Sequence, residues 1–106
     1  MGRIVIAVYR PKPGMERRLL AAVGRHMPVL RAEGLITDRP AQVMRAADGS
    51  VLEVFEWMSP AAIERAHASP AVQALWAEFG AACDYVPVAS LPEAQRVFSE
   101  FEALAS

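Results

Sequence analysis

The chain of 106 residues contains no asparagine, one lysine and one cysteine. The lone Cys83 closes no internal disulfide, and its apolar neighbours suit a buried, inert thiol better than a nucleophile. No apolar run approaches the ~18 residues of a membrane-spanning helix. Arg3 and Arg10 bracket only six apolar positions, too few for the core of a signal peptide. A cytoplasmic protein without a membrane partner is the resulting expectation. An excess of charge of one sign is also lacking, since 11 Lys plus Arg stand against 12 Asp plus Glu. The arginines are scattered apart from the pair Arg17-Arg18, and without a basic stripe interleaved with aromatics a nucleic-acid role has no footing. There is no glycine-rich phosphate loop, nucleophile elbow or redox cysteine pair. Neither a cofactor nor covalent catalysis is therefore expected, and two histidines with no third ligand at a plausible spacing support no metal site.

What is abundant is apolar surface. At this length there is room for one core, yet 54% of residues are apolar. The surplus implies surface reserved for a partner or a pocket, and a symmetric homodimer is the commonest way to use it.

The patterning alternates between strand and helix. Residues Ile4 to Tyr9 are β-branched and aromatic without alternation, as in a strand covered on both faces. Pro11 to Gly14 ends it. From Met15 a helical period sets in through Leu19, Val23, Met27 and Leu30, with a kink expected at Pro28 and a stop at Gly34. Leu35 to Ala46 reads as a strand bent at Pro40, and the Asp48-Gly49 turn joins it to a third strand, Val51 to Met58. Ser59-Pro60 and Ser69-Pro70 each pair an N-cap with a proline at the first helical position, which predicts a short helix and a longer one. Tyr85 to Ala89 reads as a fourth strand, placed at an edge by Pro87. Ser90 and Glu93 have capping-box spacing for a last helix with Val97, Phe98, Phe101 and Leu104 on its apolar side.

The expected architecture is thus α+β: a ferredoxin-like βαββαβ unit over residues 1–90, with a four-stranded antiparallel sheet and helices on one face, followed by a C-terminal helical extension over 91–106. Such a sheet leaves one face open; a second copy of the sheet would cover it, or the C-terminal helix would cover part of it or reach over the partner.

Three stretches carry a family resemblance: Lys12-Pro13-Gly14-Met15-Glu16 with the helix ending Leu30-Arg31-Ala32-Glu33-Gly34-Leu35; Glu56-Trp57-Met58-Ser59; and Ala62 with Ala66-His67-Ala68-Ser69-Pro70-Ala71-Val72. In this order and spacing the chain resembles the dimeric α/β-barrel superfamily, particularly its antibiotic-biosynthesis-monooxygenase-like branch. The resemblance implies two subunits packed sheet against sheet, with a cavity between sheet and helices. Members include cofactor-independent oxygenases of polycyclic phenols, haem-degrading enzymes, dye peroxidases and muconolactone isomerase. The Asn-Trp-His set of the haem-degrading members is not matched, because the chain has no asparagine.

Each candidate residue has a chemical reading and a plainer one. His67 matches the recurrent histidine of the family and is the expected acid/base, or else its ring caps a carbonyl before Ser69. His26, beside the apolar face of the first helix, reads as a partly buried structural residue. Glu53 and Glu56 interrupt an apolar strand and, being three apart, point to opposite faces. A carboxylate there is paired, protonated or functional, and Arg39 and Arg45 on the neighbouring strand are its expected partners. Trp57, Trp76, Tyr85 and Phe79 line an aromatic pocket or simply fill the core. The functional expectation is a homodimer that binds a small aromatic or phenolic compound. As an enzyme it would be a cofactor-free monooxygenase or isomerase, with His67 as acid/base assisted by Glu53 or Glu56. The competing expectation is a non-catalytic homodimeric interaction module.

Overall fold

A computed structural model describes residues 2–105. The elements run β1 (Arg3–Pro11), α1 (Glu16–Ala32), β2 (Gln42–Arg45), β3 (Val51–Trp57), α2 (Pro60–Ala68), α3 (Pro70–Ala82), β4 (Cys83–Tyr85), two 3-10 turns (Val88–Ser90 and Pro92–Gln95) and β5 (Glu102–Ala103). The strands form one antiparallel sheet in the order β4-β1-β3-β2-β5. The α+β class stands. The four-stranded βαββαβ unit with a C-terminal helix does not: the sheet has five strands, and the described α-helices are three.

The helix boundaries follow from local chemistry. Ser59 Oγ accepts from the Ala62 N–H at 3.1 Å and Ser69 Oγ from that of Val72 at 3.4 Å, each ahead of a proline at the first turn. The Ser69 hydroxyl also donates to Glu33 Oε1 at 2.7 Å, tying the end of α1 to the α2–α3 break. Helix α1 runs through Pro28 as one element and ends at Ala32, just ahead of Gly34, whose φ of +69° lets the Leu35 N–H return to the Leu30 carbonyl at 3.0 Å. The Asp48-Gly49 turn closes the β2–β3 hairpin, with Gly49 at φ +91°.

Three boundaries differ from expectation. The predicted strand Leu35 to Ala46 shrinks to Gln42–Arg45, and upstream only Ile36 makes a bridge, to Trp57. The fourth strand starts at Cys83 and ends at Tyr85; Val86 adds one bond to the Val8 carbonyl before Pro87, which has no N–H to offer. The predicted last helix is absent. The Leu104 N–H bonds instead to the Val43 carbonyl at 2.9 Å, so β5 lies along β2 as a fifth strand. Glu93 does not close a capping box; its Oε2 accepts the Ala47 N–H at 2.7 Å, on the hairpin turn. Tertiary pairing with β2 outweighs the local helical pattern here. The predicted apolar side splits as a result: Phe101 packs inward, whereas Val97 and Phe98 are 94% and 81% exposed.

Alternation sorts the sheet into two faces. Val5, Ala7 and Tyr9 of β1 and Val51, Glu53, Phe55 and Trp57 of β3 face the helices. On the other face the tail covers one end, where Leu91 is fully buried against Val8, Ala46 and Leu52. The end that carries Ile4 and Ile6 is left uncovered. Leu91→Ala should therefore cost about 2–5 kcal/mol in urea-induced unfolding, as for a core position. A loss under about 0.5 kcal/mol would show the tail to be dispensable.

Candidate functional site

Helix α1 buries Leu19, Ala22, Val23, His26 and Leu30, so His26 lies on the stripe that faces the sheet. Directly beneath, β3 presents Glu53 opposite Ala7 of β1, and the small alanine leaves Tyr9 room to reach across diagonally. The Tyr9 hydroxyl donates to Glu53 Oε1 at 2.8 Å, and His26 Nδ1 lies 2.7 Å from the same oxygen. On the far side of the imidazole, the Trp76 indole N–H donates to His26 Nε2 at 3.0 Å. That bond fixes the tautomer: Nε2 accepts, so Nδ1 carries the hydrogen and donates to the carboxylate. The result is a chain, Trp76 to His26 to Glu53, with Tyr9 as second donor, and both Glu53 and His26 are buried.

A carboxylate with no exposure needs such donors, because an unpaired buried charge is prohibitively costly. Tyr9 is shaped by its side of the bargain: burial first, then the Glu53 charge and hydrogen bond, push its phenol far above the usual range. Burial, and then the nearby thiol of Cys83, also raises Tyr85. Cys83 itself is pushed up to about 11, first by burial and then by the Asp84 charge, with Lys12 opposing. A thiol held so far toward its protonated form is a poor nucleophile.

Above this chain lies a cavity of about 350 Å³ between the sheet and helices α1 and α3. Trp57, Trp76, Phe79 and Tyr85 all line it, together with His26 and Phe55. The rings meet edge-on or tilted, His26 to Phe79 at 5.0 Å and Phe55 to Trp57 at 5.2 Å, geometry that suits aromatic contact. Its size is that of a small-ligand pocket.

The remaining candidates lie apart. Glu56 is on the opposite sheet face, where Arg39 Nε donates to its Oε1 at 3.0 Å and the Thr37 hydroxyl at 2.9 Å. Those two bonds hold its carboxyl below the usual range. Arg45 does not reach Glu53; it pairs with Glu16 and Glu102, each at 3.2 Å. His67 is exposed on α2, its Nδ1 2.8 Å from the Ile63 carbonyl, with its ring edge-on to Trp76 at 5.1 Å. Trp76 thus touches both histidines. Tyr9 was not foreseen as a site residue, although its parity with Ala7 places it on the Glu53 face. His26 was foreseen only as structural. The signal for it was the 19–23–26–30 spacing, on which it falls as well as Met27 falls on 19–23–27–30. Among the described residues no three His, Cys, Asp or Glu side chains come together to hold a metal ion, and no helix is long and apolar enough to cross a membrane.

No family model and no curated protein matches the chain. Among solved structures it is similar to that of Rv0793 from Mycobacterium tuberculosis, with a TM-score of 0.66 and 22% identity over 81% of this chain and 89% of that one. At that identity the likeness speaks for the fold alone, an α+β fold of ferredoxin-like type.

Tyr9→Phe leaves the buried carboxylate short of one donor and should cost about 1–3 kcal/mol near neutral pH. Because the folded phenol titrates above its unfolded value, the stabilisation is fully present below about pH 10 and erodes as pH rises beyond it. Urea unfolding of both proteins from pH 7 upward should show the gap shrinking above that point. A gap that widens there would refute the hydrogen-bond assignment.

Proposed function

We propose that the chain binds a small aromatic or phenolic compound in the cavity beside His26 and acts on it as a cofactor-independent monooxygenase or isomerase. The carrying observation is the buried Glu53–His26–Trp76 chain that ends at the wall of a cavity lined with aromatic rings. A carboxylate behind an imidazole orients the ring and stabilises the imidazolium that forms when Nε2 takes a proton. A phenolic hydroxyl that displaces the Trp76 N–H meets that nitrogen. The substrate becomes an anion, and its proton is held on His26 against Glu53. With dioxygen as co-substrate, an activated ring CH2 becomes C=O and the second oxygen atom leaves as water. Without it, return of the proton to another carbon gives an isomerase. In this reading the acid/base role expected of His67 belongs to His26, and Trp57, Phe79 and Tyr85 hold the ring system. The reading agrees with the resemblance to the antibiotic-biosynthesis-monooxygenase-like branch.

Oxygen uptake with anthrone, after subtraction of its spontaneous oxidation, tests the activity; quenching of tryptophan fluorescence by 2-naphthol tests binding. His26→Gln keeps a donor for Glu53 and should cut uptake by about 100-fold or more while 2-naphthol binds within a few-fold of wild type. His67→Ala should leave uptake within a few-fold. The reverse pattern would return the role to His67, and absence of both uptake and binding in the wild type would retire the enzyme reading.

A second reading, a homodimeric interaction module, is favoured by the open sheet face. Ile4 and Ile6 are 57% and 54% exposed on it, beside a half-buried Val54. We propose that two copies meet there, with or without catalysis in the interior. Light scattering should give twice the chain mass for the wild type and the monomer mass for Ile6→Glu. A wild-type monomer at micromolar concentration would overturn the pairing.

A further inference from the structure

A second cavity, of about 550 Å³, opens on the other side of Glu53, between α1, β2 and the chain end at Leu104 and Ala105. It shares no residue with the aromatic cavity: Tyr9 and His26 line only the latter, and Glu53 lines only the former. The two carboxylate oxygens divide accordingly. Oε1 is taken by Tyr9 and His26, whereas Oε2 is buried without a hydrogen-bond partner. A buried acceptor left open beside a cavity is an offer to a donor. The charge count sharpens the offer. Tyr9 gives a neutral hydroxyl and His26, bound as an acceptor to Trp76, a neutral imidazole, so neither donor brings a positive charge to Glu53. The inner wall is otherwise apolar, with Val23, Met27 and Val43. Arg31 is the one other charged residue lining the cavity, exposed at its outer side and with no ion-pair partner among the described residues.

We propose that this cavity is a binding site for a small amphipathic amine, whose ammonium group is received by Glu53 Oε2 and whose anionic outer end is received by Arg31. The apolar body lies along Met27 and Val43. This site is independent of the aromatic one, although both lean on the same carboxylate.

NMR of the protein carrying 13C-methyl methionine separates the two sites, with the Met27 methyl reporting on this cavity and the Trp76 indole N–H on the other. Titration with 8-aminooctanoate should move the Met27 methyl saturably. Octanoate, which lacks the inner donor, should bind about tenfold more weakly or worse. Octylamine, which lacks the outer anion, should bind a few-fold more weakly, and Arg31→Ala should erase its difference from 8-aminooctanoate. Glu53→Gln should bring 8-aminooctanoate down to the octanoate level. Equal affinity for all three compounds, or no saturable Met27 shift up to about 10 mM 8-aminooctanoate, would overturn the proposal whatever the Trp76 resonance does.

Discussion

The rest of the structure is arranged around one requirement: the Glu53 carboxylate, fully buried under α1, has to be met by donors. Tyr9 and His26 meet it from β1 and α1, and Trp76 on α3 sets which nitrogen of His26 does so. One polar contact point therefore fixes two strands and two helices relative to each other. Apolar packing alone would tolerate a slide of α1 along the sheet, since Leu19, Val23 and Leu30 have no directional demand. A hydrogen bond of 2.7 Å from a buried imidazole N–H to a buried carboxylate does not tolerate it. A polar cluster of this kind contributes uniqueness of packing more than net stability, because desolvation offsets much of its attraction.

Much of this was legible in the chain. The two Ser-Pro pairs marked α2 and α3, the Asp48-Gly49 turn marked the hairpin, and the three-residue spacing of Glu53 and Glu56 correctly sent them to opposite faces. Trp57, Trp76, Tyr85 and Phe79, open in the sequence between pocket wall and core, border one cavity, with Trp57 and Phe79 also buried in the core. The partners of Glu53 were less legible. Cross-strand logic pointed to Arg39 and Arg45 on the strand beside β3; Arg39 does pair with Glu56, but from the bend that precedes β2 and not from a strand. Glu53 instead found partners from a strand and a helix distant in sequence, 44 and 27 residues away, where no local period speaks. His26 was hidden by ambiguity, since a helical stripe spaced by three or four accommodates either it or Met27.

The tail shows a different limit. Ser90, Glu93 and the later apolar positions satisfy helix rules, yet the chain there is extended or in 3-10 turns. Two long-range bonds decide it: Glu93 to the Ala47 N–H and Leu104 to the Val43 carbonyl. A short terminal helix would have been marginal alone, whereas the extended path seals Leu91 against the sheet. Capping signals are local, and a sheet edge in need of a neighbour outbids them.

That edge has one more implication. The outermost strands, β4 and β5, are only three and two residues long. Each offers too little free backbone to template another strand, and β4 runs into Pro87, which has no N–H to give. Strand addition onto β4 and β5 themselves is thus disfavoured, and the longest stretch of sheet edge without a neighbour is Arg3 to Ala7 of β1, which extends past the Tyr9–Pro11 pairing with β4.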